Sequence, residues 1–197
     1  KMKILFVNPI VREEENPKHI PYGMAILVQL AVDAGYDIQV YDENAHRPHD
    51  PVKTLNDVLN ADDWDVVCAG GLITTYSGLK RIFKLSTEIV PNALRIIGGG
   101  ALTSIPRDIM RLIPADIGIV GEAFKTFPTI LELYKSGKLE YEKIKGIAYK
   151  EKNGEIVYTD QVEQVRNLDD LSIPNYELID MDKYLWTWQE KFRGFPI

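Results

Sequence analysis

Short apolar runs alternate with amphipathic stretches along the chain as far as about residue 138. The apolar runs predict five buried strands, over Lys3–Asn8, Asp37–Tyr41, Asp65–Ala69, Leu94–Ile97 and Ile117–Val120. The stretches between them predict helices over Tyr22–Ala34, Val52–Asn60, Ser77–Val90, Pro106–Ile113 and Thr126–Lys135. Ser77 is the candidate N-cap of the third of these helices. This alternation predicts an α/β, Rossmann-like (flavodoxin-like) fold, with an open parallel five-stranded sheet flanked by helices.

The pattern changes after residue 138. Ile144–Lys150 and Glu155–Thr159 alternate apolar and polar positions and are joined by Asn153-Gly154, a strong signal for a β-hairpin. Residues 168–184 show no period and predict an ordered linker. The aromatic-rich tail from Trp186 to Ile197 is expected to pack on this domain or on a further one. We therefore divide the chain into a Rossmann-like domain (1–138), a hairpin appendage (139–165) and a linker (166–197).

Composition excludes several classes of protein. The 197 residues include 23 Lys and Arg against 29 Asp and Glu, and no basic stretch is present that would neutralise nucleic-acid phosphates. No apolar run approaches the roughly 18 residues of a membrane span. The single cysteine, Cys68, excludes a disulfide framework and a thiolate cluster for zinc or iron within this chain. These features predict a cytoplasmic protein that binds neither nucleic acid nor membranes.

Glycine is concentrated directly after the predicted third, fourth and fifth strands. Gly70-Gly71, Gly98-Gly99-Gly100 and Gly121 stand where parallel strands end, which is the edge of an open α/β sheet at which ligands bind. Tight strand–helix turns would explain one or two of these glycines. Several at two adjacent strand ends favour a ligand pocket, because bare backbone lets a flat or phosphorylated group approach closely.

Three common ligand sites of this fold are absent from the sequence. Asn8-Pro9 follows the first strand, where a dinucleotide site needs a Gly-x-Gly-x-x-Gly turn. Asn8, Gly70 and Gly121 occupy the places of the acidic, aspartate and lysine residues of a phospho-receiver domain, and a P-loop is missing. A large cofactor with its tail along the third and fourth strand ends is the remaining hypothesis. A flavin- or nucleotide-binding enzyme is the weaker alternative.

The segments at the strand ends resemble the N-terminal cobalamin-binding domain of cobalamin-dependent radical S-adenosylmethionine enzymes. The family has Asn-Pro after the first strand, Pro-x-Gly at the first helix, a Ser-x-Leu-x-Thr-Thr-like turn, a Gly-Gly-x-His-x-Thr-x-x-Pro run and a Gly-Glu pair. The matching segments here are Asn8-Pro9, Pro21-Tyr22-Gly23, Gly70–Thr75, Gly98–Pro106 and Gly121-Glu122. The hairpin at Ile144–Tyr149 and the linker at Leu168–Pro174 also resemble those of the family.

The resemblance implies cobalamin as the cofactor, together with a set of residues that contact it. Those residues are Asn8, Pro9, Tyr22, Gly23, Gly70, Gly71, Leu72, Ile73, Thr74, Thr75, Gly98, Gly99, Gly100, Ala101, Gly121 and Glu122. The dimethylbenzimidazole tail is expected to insert over the threonine hydroxyls and the fourth-strand glycines, with the corrin ring facing a partner domain.

In family enzymes that partner domain is a C-terminal radical S-adenosylmethionine barrel, whose [4Fe–4S] cluster is held by Cys-x-x-x-Cys-x-x-Cys. The motif is absent here, so we expect a cobalamin-binding half with no catalytic residues of its own. A methyltransferase acting on an unactivated carbon is the leading hypothesis for the full-length protein. The alternatives are a cyclase of the anaerobic magnesium-protoporphyrin ester type and a stand-alone binding or regulatory module that has lost the cofactor.

The sequence also departs from the family pattern. Ala101 replaces the usual histidine and Ala123-Phe124 replaces a second Gly-Glu, which favours the stand-alone module. His19 lies in the loop where many cobalamin proteins place a cobalt ligand, but the Asp-x-His-x-x-Gly motif is incomplete. A turn histidine is therefore the preferred interpretation of His19, with cobalt ligation as the alternative.

Four further side chains allow simpler interpretations. His46 and His49 flank Pro48 in a polar loop and are expected to be solvated rather than to bind a metal. Cys68 is expected to be a small buried apolar residue. Glu122 either accepts a hydrogen bond from a ligand or caps the helix after the fifth strand.

Overall fold

The computed structural model describes residues 1–15, 17 and 19–184. The strands are β1 (Lys3–Asn8), β2 (Asp37–Asp42), β3 (Val66–Gly70), β4 (Leu94–Gly98), β5 (Ile117–Ile119), β6 (Ile147–Lys150) and β7 (Ile156–Tyr158). The α-helices are α1 (Tyr22–Asp33), α2 (Glu43–His46), α3 (Pro51–Asn60), α4 (Tyr76–Ile89), α5 (Gly100–Ser104), α6 (Pro106–Leu112) and α7 (Thr126–Lys135). No helix in this described part of the chain is both long and apolar enough to cross a membrane.

The strands form one sheet in the order β2-β1-β3-β4-β5-β6-β7. Strands β1 to β5 are parallel, and the direction of chain progression reverses between β1 and β3. Strand β6 pairs antiparallel with β5, with Ile147 opposite Ile119, and β7 pairs antiparallel with β6. The predicted α/β fold is confirmed, but the count of five strands is wrong because the hairpin extends the same sheet.

Two apolar layers cover the two faces of the sheet. Successive strand residues point to opposite faces, so Leu5 and Val7 belong to one layer and Ile4 and Phe6 to the other. The first layer is closed by α3, α4 and α6, and the second by α1 and α7. Both faces are buried, as expected for a parallel sheet, and the strand ends are left as the accessible edge.

Two short helices and one helix start differ from the sequence-based expectation. Helices α2 and α5 are only four and five residues long, and their sequences are too short to show a helical period. Ser77 does not cap α4, because a 3₁₀ turn at Ile73–Thr75 leads directly into a helix that begins at Tyr76. The predicted cap therefore lies inside the first turn of the helix.

Residues 165–184, called the return segment below, pass from the hairpin side of the sheet back to its β2 edge. The Val165 N–H donates to Glu122 (3.3 Å), the Asn175 N–H donates to Gln29 of α1 (2.9 Å), and Tyr184 contacts the end of β2. The return segment thus contacts the domain at three separate places. The aromatic tail from Trp186 to Ile197 lies outside the described residues.

Candidate cofactor site

A cavity of about 630 Å³ opens at the carboxyl ends of β1, β3, β4 and β5. It extends between one face of the sheet and helices α1 and α7, and the loop after β1 forms one side of its mouth. The position beside the switch point in strand order is where parallel α/β sheets bind ligands. The volume is typical of a site for a small molecule.

The floor of the cavity is apolar. The strand register places Phe6, Cys68 and Ile96 side by side, and Ile119 and Phe127 complete the floor. The rings of Phe6 and Phe127 meet edge to face, with centroids 5.7 Å apart. Burial raises the pKa of the Cys68 thiol far above its ordinary value, so the thiol is neutral. Such a floor suits a planar, uncharged aromatic group.

Three glycines at the rim are required by close contacts within the turn after β3 and between that turn and the turn after β4. Gly99 has a φ of +86°, and a Cβ there would lie 2.7 Å from the Gly71 nitrogen. A Cβ on Gly71 would collide with the Thr75 hydroxyl, and a Cβ on Gly70 would lie 3.0 Å from the Gly98 carbonyl oxygen. These glycines let the turns after β3 and β4 pack backbone against backbone.

Gly98 differs from those three glycines. Within residues 1–15, 17 and 19–184, no atom other than those of its chain neighbours lies within 4 Å of the place where its Cβ would be. Because strand residues alternate between faces, a side chain at this last position of β4 would share the face of Ile96, on the floor of the cavity. The protein's own packing does not require a glycine here, and the space is open to a ligand.

Asn8 brings a buried polar side chain to the wall of the cavity. Its Nδ2 donates to Asp42 Oδ1 (2.9 Å) and to the Tyr184 hydroxyl (3.3 Å). Asp42 also accepts hydrogen bonds from the Tyr184 hydroxyl (2.5 Å) and the Ala45 N–H (3.0 Å). These bonds fix the orientation of the Asn8 amide beside the cavity.

Gly121 and Glu122 form the rim after β5. The Gly121 N–H donates to the Thr103 hydroxyl (3.1 Å). A Glu122 carboxylate oxygen accepts from the Val165 N–H, while α7 begins without a side-chain cap. The helix-capping interpretation of Glu122 is therefore wrong. Glu122 is exposed, lines the cavity and contacts the first residue of the return segment.

The structure gathers most of the residues that the resemblance implied, and leaves some away from the cavity. Those that line it are Asn8, Pro9, Gly23, Gly70, Gly71, Leu72, Thr75, Gly98, Gly99, Gly121 and Glu122. Tyr22, Ile73, Thr74 and Gly100 are exposed outside the lining, and Ala101 is fully buried in the layer on the opposite face of the sheet. The Thr75 hydroxyl donates its proton to the Leu72 carbonyl oxygen (2.7 Å) within the turn, so toward a ligand it can act only as an acceptor.

The histidines occupy three different surroundings. His19 is exposed and lies along the cavity. His46 lies at the end of α2, where its Nε2 is 3.6 Å from Asp180 Oδ2 and its ring stacks on Tyr41. His49 is exposed. Within residues 1–15, 17 and 19–184, no group of His, Cys, Asp and Glu is arranged to hold a metal ion.

Sequence reasoning from the strand ends missed the floor and the helical wall of the cavity. The missed residues include Phe6, Met24, Leu27, Ile96, Ile119 and Phe127. A signal was present, because alternate positions of parallel strands share a face and Phe6, Cys68 and Ile96 are such positions. The sequence does not show that two helices stand far enough from that face to leave a cavity.

Comparison with known proteins gives two relatives of similar sequence. Over 194 residues the chain is 29% identical to an uncharacterized methyltransferase of Pyrococcus horikoshii, covering 93% of this chain and 40% of that protein. Over 192 residues it is 25% identical to the anaerobic magnesium-protoporphyrin IX monomethyl ester cyclase of Cereibacter sphaeroides, covering 94% of this chain and 31% of that protein. The chain thus spans less than half the length of these relatives.

Solved structures share the fold. The cobalamin-dependent S-adenosylmethionine radical enzyme OxsB, with aqua-cobalamin and S-adenosylmethionine bound, matches with a TM-score of 0.76 and 15% identity, over 98% of this chain and 26% of that chain. The radical S-adenosylmethionine methyltransferase TsrM of Kitasatospora setae, with cobalamin and a [4Fe–4S] cluster bound, matches with a TM-score of 0.70 and 17% identity, over 80% of this chain and 30% of that chain.

The family itself is established by a match that covers most of the α/β part of the chain. The family model of the B12 binding domain matches residues 10–131, which is more than half of the chain and includes β2 to β5 with α1 and most of α7. The resemblance proposed from the strand-end motifs and the expectation of cobalamin are thereby confirmed. This chain belongs to the B12 binding domain family.

Proposed function

We propose that this chain holds cobalamin with its nucleotide tail in the cavity and its corrin ring over the carboxyl ends of the strands. The observation that carries this proposal is the open space at Gly98, beside an apolar cavity at the switch point of the sheet. The tail of cobalamin ends in a flat, apolar aromatic base, which matches the chemistry of the floor formed by Phe6, Cys68 and Ile96.

The rim offers the complementary polar groups. The turns after β3 and β4 expose backbone at Gly71 and Gly99, where a phosphate or a corrin amide can approach closely. Asn8 and Glu122 stand on opposite sides of the mouth, on β1 and after β5, and are suited to hydrogen bonds with side-chain amides of the ring. In this assignment the apolar floor orients the tail and the polar rim fixes the ring.

We propose further that the full-length protein is a radical S-adenosylmethionine methyltransferase that acts on an unactivated carbon. Support comes from the 29% identical methyltransferase and from the cobalamin-binding radical enzymes that share the fold. Bound cobalamin would supply the transferable methyl group. The [4Fe–4S] cluster and S-adenosylmethionine would be held by a barrel outside this chain, and the residues described here would only bind and orient the cofactor.

A radical cyclase is the second candidate, and the 25% identity to the magnesium-protoporphyrin ester cyclase favours it. The cavity does not distinguish the methyltransferase from the cyclase, because both enzymes would use the same cofactor. A stand-alone module without cofactor is less well supported by the structure. Ala101 does not line the cavity, so the loss of the family histidine at this position leaves the cavity unchanged.

Titration with hydroxocobalamin tests the proposal. We expect the visible spectrum to shift towards the base-off form as the tail leaves cobalt for the cavity, with co-elution of protein and cofactor on gel filtration. Gly98→Leu fills the open space and should weaken binding more than about tenfold. Ala61→Leu adds the same side chain at the exposed end of α3 and should bind as the wild type does. An unchanged wild-type spectrum without co-elution would contradict the proposal.

A further inference from the structure

Tyr184 joins the return segment to the domain through a buried hydroxyl. Its side chain is 1% exposed, and the ring packs with Ala25 of α1 and Ala45 of α2. The hydroxyl donates to Asp42 Oδ2 (2.5 Å) and accepts from Asn8 Nδ2 (3.3 Å). Burial beside the Asp42 carboxylate raises the pKa of Tyr184 far above its ordinary value, so the phenol keeps the proton that it donates.

The same hydrogen-bond network reaches two residues of the cavity wall. Asn8 lines the cavity directly. Asn44 Nδ2 donates to the Tyr184 hydroxyl (3.5 Å), and Asn44 Oδ1 accepts from the N–H of Val11 (3.1 Å), which also lines the cavity. The return segment is thus connected to the side of the mouth that follows β1, through groups that contact no solvent or very little.

Burial makes this network sensitive to the loss of a single atom. Asn8, Asp42 and Asn44 are each at most 9% exposed. A buried polar group that loses its partner must turn to another or admit water, because an unsatisfied group is strongly disfavoured. Removal of the Tyr184 hydroxyl would therefore change the orientation of the Asn8 amide and of the loop that Asn44 holds.

We infer that Tyr184 is a positioning residue for the cofactor cavity, and that docking of the return segment and occupancy of the cavity stabilise each other. The inference rests on the proposed function, since cobalamin is the ligand assigned to the cavity. Asn8 contacts both Tyr184 and the cavity, and linkage requires that any effect of docking on cofactor affinity is returned as an equal effect of the cofactor on docking.

The test compares Tyr184→Phe with Tyr134→Phe. Both variants keep the ring and lose one hydroxyl, but the Tyr134 hydroxyl donates to the Asn92 carbonyl oxygen (3.4 Å), at the amino edge of the sheet. We expect Tyr184→Phe to bind hydroxocobalamin about fivefold or more weakly, and Tyr134→Phe to bind as the wild type does. Hydrogen exchange should show that hydroxocobalamin protects residues 176–184 in the wild type and protects them less in Tyr184→Phe.

An Asn8→Ala background separates positioning from general loosening of the fold. Because Tyr184 reaches the cavity wall through Asn8 as well as through Asn44, the effect of Tyr184→Phe on affinity should be clearly smaller in this background. Equal affinities of the two phenylalanine variants, or an undiminished effect in Asn8→Ala, would overturn the inference. If the wild type itself fails to bind hydroxocobalamin, the proposed function is overturned. In that case, faster amide hydrogen exchange at residues 8–11 in cofactor-free Tyr184→Phe than in the cofactor-free wild type would still show that Tyr184 stabilises this part of the cavity wall.

Discussion

Gly98 and Gly99 are adjacent in the chain but meet different requirements. Gly99 adopts a φ of +86° and faces the Gly71 backbone, whereas the Cβ position of Gly98 is open. The run of three glycines that begins at the last residue of β4 therefore combines a conformational requirement with space for a ligand. The sequence predicts the concentration of glycine at this edge, but each residue's reason depends on the neighbouring turn and is visible only in the structure.

Alanine substitutions distinguish these two roles. Gly99→Ala should destabilise the protein by about 1–3 kcal/mol, because the new Cβ is strained at positive φ and meets the Gly71 backbone. Gly98→Ala should change the free energy of unfolding by less than about 1 kcal/mol. Urea denaturation of both variants measures the difference. Equal destabilisation by the two substitutions would contradict the assignment of the open space to Gly98.

At the scale of elements, the strand-end side of the domain is held by a buried ion pair between two helices. Glu43 of α2 is fully buried, and its carboxylate accepts two hydrogen bonds from the Arg81 guanidinium of α4 (2.8 and 2.6 Å). Burial raises the pKa of Glu43 above its ordinary value, and Arg81 opposes that rise. The sequence predicted α4 but not α2, so this contact was not foreseeable.

Removing one partner of this pair should be costly. Arg81→Ala leaves the Glu43 carboxylate buried without its cation and should lower the free energy of unfolding by about 3–5 kcal/mol. Lys84→Ala, one turn further along α4, removes an exposed pairing with Glu88 at 3.9 Å and should cost less than about 1 kcal/mol. Chemical denaturation monitored by circular dichroism compares the two. If the two substitutions lowered the free energy of unfolding by similar amounts, the Glu43–Arg81 pair would not be what holds α2 in place.

At the scale of the whole molecule, the hairpin belongs to the sheet. The Val120 N–H donates to the Gly146 carbonyl oxygen (2.9 Å), and Ile144, Ile147 and Ala148 are almost completely buried. The apolar pattern predicted both hairpin strands and their Asn153-Gly154 turn. It did not predict their partner, because the edge of a sheet to which a hairpin adds is decided by tertiary packing rather than by local pattern.

A chain ending at residue 138 should therefore associate or aggregate. It would leave the edge of β5 unpaired and uncover Ile117, Ile119 and Phe127, and exposed apolar edges are templates for association. A chain ending at residue 165 retains the hairpin and should associate no more than the full chain does. Size-exclusion chromatography with light scattering compares the two lengths. A monomeric 1–138 chain as stable as the full chain would contradict this role of the hairpin.

Much of the lining of the cavity was predictable because it depends on short motifs at the ends of strands. Asn8-Pro9, the paired glycines and Gly121-Glu122 fall at the cavity as expected. The floor and the contacts of Tyr184 were not predictable, since they bring together residues far apart in the chain, such as Asn8 and Tyr184 at 176 positions of separation.

The central claim is that the cavity holds the nucleotide tail of cobalamin, and comparison with cobinamide tests it most directly. Cobinamide keeps the corrin ring but lacks the tail, so it would leave the floor formed by Phe6, Cys68 and Ile96 unused. Isothermal titration calorimetry of the purified chain should therefore give a dissociation constant for cobinamide more than about tenfold larger than for hydroxocobalamin. Equal affinity for the two corrinoids would contradict the account.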